Sequence, residues 1–164
     1  MTEMLQKTER DYEAGHDRPL KGYIGLLSAY GGTVAMATAA ALLAGRRAPD
    51  HFGTMDLLLM AACTHKMSRR LSKDPVTSPL RAPFTRYEGQ SGPAEVREKP
   101  HGAVGELLAC PFCLAQWIAT GYAAGLVFAP KATRLVGATM TAVAISDWLQ
   151  LAYAKLMKSA GESD

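Results

Sequence analysis

The chain has 164 residues, 48% of them hydrophobic and 20% charged, with a net charge of +3 and three cysteines. This length predicts a single domain with a sizeable core, and the apolar share excludes a disordered chain. The small net charge lacks the polyanion-binding composition of a nucleic-acid protein, so no nucleic acid partner is expected, and three cysteines do not make a secreted disulfide framework. A mean hydropathy of -0.02 averages polar ends and a polar middle with long uncharged runs, and those runs set the class.

Residues 1–21 are mostly polar and include Glu3, Glu9, Asp11, Glu13 and Asp17. The uncharged run after them is therefore not the apolar region of a cleavable signal peptide. From Gly22 to Gly45, 24 residues lack any ionisable side chain except tyrosine, between Lys21 and Arg46-Arg47. About 20 apolar residues cross a hydrocarbon core of ~30 Å, so 22–45 is predicted to be a membrane-spanning helix. Phe52 to Thr64 is apolar but short and contains Asp56. Met60, Cys63, Met67 and Leu71 prolong an i, i+3/i+4 stripe, with Lys66, Arg69, Arg70 and Lys73 on the polar side, able to snorkel. The segment 52–71 then reads as a second crossing, or as an interfacial helix.

The connection 72–106 carries Pro75, Pro79, Pro83, Pro93 and Pro100 and cannot be one helix. Pro75 to Glu88 mixes apolar, aromatic and basic residues and is expected to be ordered, whereas Gln90 to Lys99 has the composition of a flexible linker. Arg81 and Arg86 with Phe84 and Tyr87 form a candidate site for a phosphate or anionic headgroup; the alternative is that they are ordinary cytoplasmic-side residues packed on the bundle.

Two uncharged runs follow, Leu107 to Ala129 and Leu135 to Ala154, the second interrupted by Asp147. Joined by the basic turn Pro130 to Arg134, they predict a helical hairpin, with Gly121, Gly125, Gly137 and Thr141 as small residues for close packing. With four crossings, fourteen basic residues fall on the side of the termini and middle loop, against Arg46, Arg47, Lys131 and Arg134 on the other. The positive-inside rule places both termini and the loop in the cytoplasm. The expected fold is all-α: a single-domain integral membrane helical bundle. It has four transmembrane helices, or three if Phe52–Leu71 is only interfacial, with a Pro-rich cytoplasmic loop and the lipid bilayer as partner.

Cys110-Pro111-Phe112-Cys113 is the sharpest chemical signal. Pro111 suits a first helical turn, and a helix N-terminus activates a thiol as nucleophile or ligand. Three readings stand: a redox dithiol, half of a metal site, or two packing residues. His65 and His101 on the same side would complete a two-Cys, two-His zinc set. Asp147 needs a partner, since a carboxylate within a crossing costs about 2.5–3.5 kcal/mol on insertion scales. Counting residues from the outer ends puts His65 and Cys113 at a similar depth, with Gln116, Gln150 and Glu106 nearby. This predicts a buried polar cluster of Asp147, His65 and Glu106, in which His65 is the first choice for Asp147. The cluster serves either helix packing or a proton or metal role. Asp56 is placed at the external interface.

Two stretches, Lys66-Met67-Ser68-Arg69 leading into Asp74-Pro75-Val76-Thr77-Ser78-Pro79-Leu80-Arg81-Ala82-Pro83-Phe84-Thr85, and Gly105-Glu106-Leu107-Leu108-Ala109-Cys110-Pro111-Phe112-Cys113-Leu114, give a resemblance. The chain resembles the bacterial domain-of-unknown-function 1360 family, which includes a sporulation-associated membrane protein. The resemblance implies a small bacterial integral membrane protein with a weak link to sporulation or envelope processes, and transfers no activity, ligand or catalytic residue. Two functions remain open. The favoured one is a non-enzymatic membrane module whose Cys pair and loop bind or assemble with a protein partner in the membrane, with zinc as the candidate cofactor. The alternative is a membrane thiol-disulfide oxidoreductase using Cys110 and Cys113.

Overall fold

The computed structural model describes residues 7–8, 11–12 and 18–161; most of the polar N-terminal segment, including Glu3, Glu9, Glu13 and Asp17, and both chain ends lie outside the described residues. Helix α1 spans Leu20–Leu43 and buries no residue within the protein. It ends where Gly45 turns left-handed at φ +62, with Gly45 N–H donating to Leu42 O and Arg46 N–H to Ala41 O. This paired closure satisfies the last carbonyls of a helix, and glycine makes it without steric penalty.

Helix α2, Thr54–Lys73, buries Cys63, Ser68 and Ser72. It runs between the two C-terminal helices and packs on both. A 3-10 turn (Pro75–Thr77) and a short helix α3 (Ser78–Arg81) follow, then strands β1 (Thr85–Gly92) and β2 (Glu95–Pro100) in an antiparallel hairpin. Thr85 faces Pro100 and Gly92 faces Glu95, with register shifts between Tyr87 and Gly89 and between Gln90 and Gly92.

The hairpin corrects two expectations: the chain is mostly helical but not all-α, and Gln90 to Lys99 is paired backbone rather than a linker. The turn sets this. Pro93 suits the second position of a four-residue turn, and Ala94 takes the positive φ (57) of the third. Gly89, at φ 122, sits at the first register shift, where a bulge takes up an extra residue.

The predicted third crossing, 107–129, is broken into α4 (Gly102–Ala109) and α5 (Pro111–Phe128) at Cys110, whose backbone is extended at φ -104, ψ 108. Proline disfavours helical geometry in the residue before it, so Pro111 forces the break. Helix α6 runs from Pro130 to Gly161, 32 residues, about 48 Å at the usual rise. Only Ala129 separates it from α5, so the expected basic turn is already the first turn of α6.

Among the described residues, three helices are long and apolar enough to span a membrane: α1, α5 and α6. The amphipathic α2 falls outside that criterion because Lys66, Arg69, Arg70 and Lys73 crowd its second half. The core gathers Cys63, Tyr122 and Leu126, with Leu59, Met60, Met67 and Met140 against them. Of the glycines expected to pack closely, Gly125 faces Thr133 and Gly137 faces Tyr122, while Gly121 meets nothing. Helix α1 touches the rest chiefly at the hairpin end, where Gly22 abuts Ala103. Farther along, Tyr30 meets Thr120 (2.8 Å), Gln116 (2.7 Å) and, edge-on, Trp117. Beyond Tyr30 it leaves an apolar groove of about 370 Å³ toward α5, lined by Val34, Ala41, Ala124 and Phe128.

Candidate functional site

The chemistry-bearing side chains gather at the hairpin end. Cys110 caps the N-terminus of α5, and its sulfur accepts the N–H of Cys113 at 3.3 Å. The two sulfurs lie 2.7 Å apart and are unlinked; Cys113 is exposed and Cys110 half-buried. The i, i+3 spacing across the first helical turn brings them together, because Pro111 holds that turn helical right after the extended Cys110. Both sulfurs are therefore adjacent and reachable.

Among the described residues, no group of three His, Cys, Asp or Glu side chains converges. His65 is exposed and lies against Trp148, ring centroids 6.1 Å apart, and His101 is exposed just ahead of α4. The expected two-Cys, two-His zinc set is not assembled within one chain, because α4 and the break at Cys110 intervene between His101 and the pair.

The predicted cluster of Asp147, His65 and Glu106 is likewise redistributed. Asp147 pairs with Lys66, the residue next to His65. One residue on a helix turns the side chain by about 100°, so equal depth could not choose between neighbours. Glu106, on α4, accepts from Tyr23 Oη at 2.5 Å and lies 3.8 Å from Arg18. It thereby ties the start of α1 to the segment leading into the Cys pair. At the far end Asp56 forms a two-point ion pair with Arg134, at 2.7 and 3.0 Å.

Arg81 overturns the headgroup assignment. Its side chain is fully buried, and Nε and Nη2 donate to the Glu98 carboxylate at 2.8 and 3.0 Å. Nη1 donates to Leu71 O and Thr77 Oγ1, and Nη2 also donates to Asp74 O and Ser78 Oγ. Ser78 and Thr85 also donate to Glu98, and Asp74 caps the 3-10 turn through Val76 N–H. Arg81 holds the Glu98 carboxyl below the usual carboxylate range, against the opposing effect of burial. The Asp74-to-Thr85 stretch thus serves a polar lock that staples the hairpin to the end of α2, supported by Arg69 and Glu95 (2.5 Å). Of the residues named for anion binding, Arg86, Phe84 and Tyr87 remain exposed.

Sequence reasoning missed Lys66 and Glu98 as partners. Both were legible as charges but counted only toward sidedness or loop composition. A family model for a protein of unknown function, DUF1360, matches residues 58–153, more than half of the chain. No curated protein and no solved structure matches it. The chain belongs to the DUF1360 family.

Proposed function

We propose that this member of the DUF1360 family is a four-crossing protein of the bacterial inner membrane, with both termini cytoplasmic, that carries a thiol–disulfide exchange site at its cytoplasmic boundary. The observation that carries the reading is the pair of adjacent, accessible sulfurs at the start of α5, which no third ligand joins among the described residues. A reducing cytoplasm keeps such a pair as the dithiol.

Cys110 is the attacking sulfur, since it already accepts both the Cys113 N–H and the Cys113 thiol. Its thiolate attacks a disulfide of a partner protein. One partner sulfur leaves as a thiolate and takes a proton, and a mixed disulfide forms. Cys113 then loses its proton and attacks Cys110, releasing the second partner sulfur as a thiol. Two electrons pass to the partner, which ends as a dithiol, and Cys110–Cys113 ends as a disulfide. Glu106 and Tyr23 brace the segment on which this occurs.

The fourth crossing is α2. What supports it is its place between α5 and α6, with Asp56 paired to Arg134 at one end and Lys66 to Asp147 further along. Every charge in its apolar two-thirds is thereby neutralised, so a helix that hydropathy rejects becomes compatible with the bilayer interior. The link to sporulation or envelope processes rests on the resemblance alone.

Equilibrating the full chain in detergent with glutathione buffers, then alkylating and weighing it, tests the exchange reading. An intrachain Cys110–Cys113 disulfide that forms reversibly, and a Cys113→Ser variant that stalls as a Cys110 mixed disulfide with glutathione, are expected. Stoichiometric zinc lost on Cys110→Ser would instead favour the assembly module. Thiol labelling at a cysteine placed at Ala48, with reporters at Met1 and Asp164, tests the four crossings; an external C-terminus would reject them.

A further inference from the structure

The middle of the bundle holds a second sulfur cluster that takes no part in the exchange chemistry. Cys63, fully buried on α2, has Met60 three residues before it and Met67 four after, on the same helix face, and Met140 reaches the cluster from α6. Cys63 Sγ and Met67 Sδ are 3.6 Å apart.

On the three packed helices, hydroxyls are left over. Thr33, Thr38, Thr120, Thr133 and Thr139 each return their hydroxyl to the carbonyl four residues back. The half-buried Thr64 on α2 and Thr141 on α6 do not, and their buried hydroxyl oxygens have no other partner among the described residues. The third unpartnered hydroxyl is that of Tyr122 on α5, whose residue is 6% exposed, packs on Cys63 and lies against Gly137, one turn from Thr141. A buried hydroxyl without a partner costs about 1–3 kcal/mol. Of these hydroxyls, that of Tyr122 belongs to a residue packed on Cys63, and it points to something that belongs between these helices.

We infer that Cys63, Met67, Met60 and Met140 form an intramembrane site for a soft monovalent cation of the copper(I) class. Thiolate and thioether sulfurs select such an ion over hard cations. With metal–sulfur bonds of about 2.3 Å, two sulfurs 3.6 Å apart subtend roughly 103° at the ion, an angle suited to three- or four-coordination. Binding replaces the Cys63 thiol proton: Cu⁺ and the thiol give a copper thiolate, and the proton leaves to solvent. The product unit is neutral, so no net charge is buried in the apolar interior. A copper thiolate at Cys63 would offer the unpartnered Tyr122 hydroxyl, on a residue packed against Cys63, an acceptor, the outer-shell bond that metal-bound sulfur ordinarily receives.

The experiment uses the full chain in detergent carrying Cys110→Ser and Cys113→Ser, so that failure of the exchange reading cannot affect it. Copper(I) is supplied anaerobically in competition with bathocuproine disulfonate. One copper per chain with a sulfur shell near 2.3 Å by X-ray absorption is expected. Cys63→Ser should abolish retention, and Met67→Leu, a volume-conserving change that keeps the fold, should weaken it about tenfold. A Cys110→Ser, Cys113→Ser protein that is helical and monodisperse yet holds no copper overturns the site. So does copper that persists unchanged in Cys63→Ser, and so does a shell of oxygen or nitrogen ligands.

Discussion

Helices α1 and α2 reverse the order that hydropathy assigns them. The first carries no charge after Lys21 and is unmistakable as an apolar span, yet it buries no residue against the protein and leaves an open groove toward α5. The second carries five charged residues and fails the same criterion, yet it is the element on which α5 and α6 both close. Hydropathy reads what a helix shows to lipid. Helix α2 buries Cys63, Ser68 and Ser72 against its neighbours while Met55, Leu57 and Leu58 stay exposed, and its packed side is free to hold ion pairs and small polar residues. Charge within an apolar stretch is thus as consistent with a central helix as with a peripheral one, and pairing decides between them.

The largest expected effect lies at the α2 end of this contrast. Arg81→Met leaves Glu98 buried and uncompensated and should cost about 3–5 kcal/mol, whereas Arg81→Met with Glu98→Leu should recover much of the loss. Thermal unfolding in detergent, with proteolysis at Arg86 and Arg97 as a local reporter of the hairpin, reads both. Because Glu98 titrates lower in the folded protein than in the unfolded chain, its contribution is complete above the unfolded carboxyl range near about 4.3 and is lost as pH falls through the folded value. Acid should therefore release the hairpin below roughly pH 4, and Glu98→Gln should flatten that limb while lowering stability at neutral pH. An unchanged acid limb in the variant would remove Glu98 from the account.

Next in size is the pair inside the bundle. Lys66→Ala and Asp147→Ala should each cost about 1–3 kcal/mol, and the double variant less than their sum, since either single change strands the other charge. His65→Ala should add independently to both. If His65 couples to Asp147 and Lys66 does not, the centrality of α2 loses its electrostatic basis.

A smaller gain is expected in the hairpin stapled to α2. Ala94 holds a positive φ that glycine adopts freely, so Ala94→Gly should stabilise the turn by up to about 1 kcal/mol, read as slower proteolysis at Arg97. A loss would mean that the gain in unfolded-chain freedom outweighs relief of strain. The smallest effect belongs to α1: Tyr30→Phe removes its hydrogen bonds to Gln116 and Thr120 and should cost only about 0.6 kcal/mol, the usual scale for such bonds between membrane helices. A cost of several kcal/mol would show that α1 is as integral to the bundle as α2.

Several features are one-dimensional, and the order of residues by itself determined them. The apolar runs of α1, α5 and α6 reach the range of lengths a bilayer requires, and the prolines after Lys73 forbid a continuous helix. Pro111 in a first turn fixes Cys110 and Cys113 as neighbours at i, i+3, so the dithiol was legible before any fold. Everything that depends on which way a side chain points around a helix, or on pairing across distant segments, was decided by the tertiary structure. Lys66 rather than His65 meets Asp147 because adjacent residues differ by about 100° in direction, which depth along the axis does not register. Arg81 is a buried lock rather than a surface cation because Glu98 is brought to it by a hairpin that pairs Thr85 with Pro100, and the composition of Gln90 to Lys99 gave no sign of that pairing. Strand pairing and charge pairing are contacts between residues far apart in the chain; their energy exists only once the backbone has closed the loop between them.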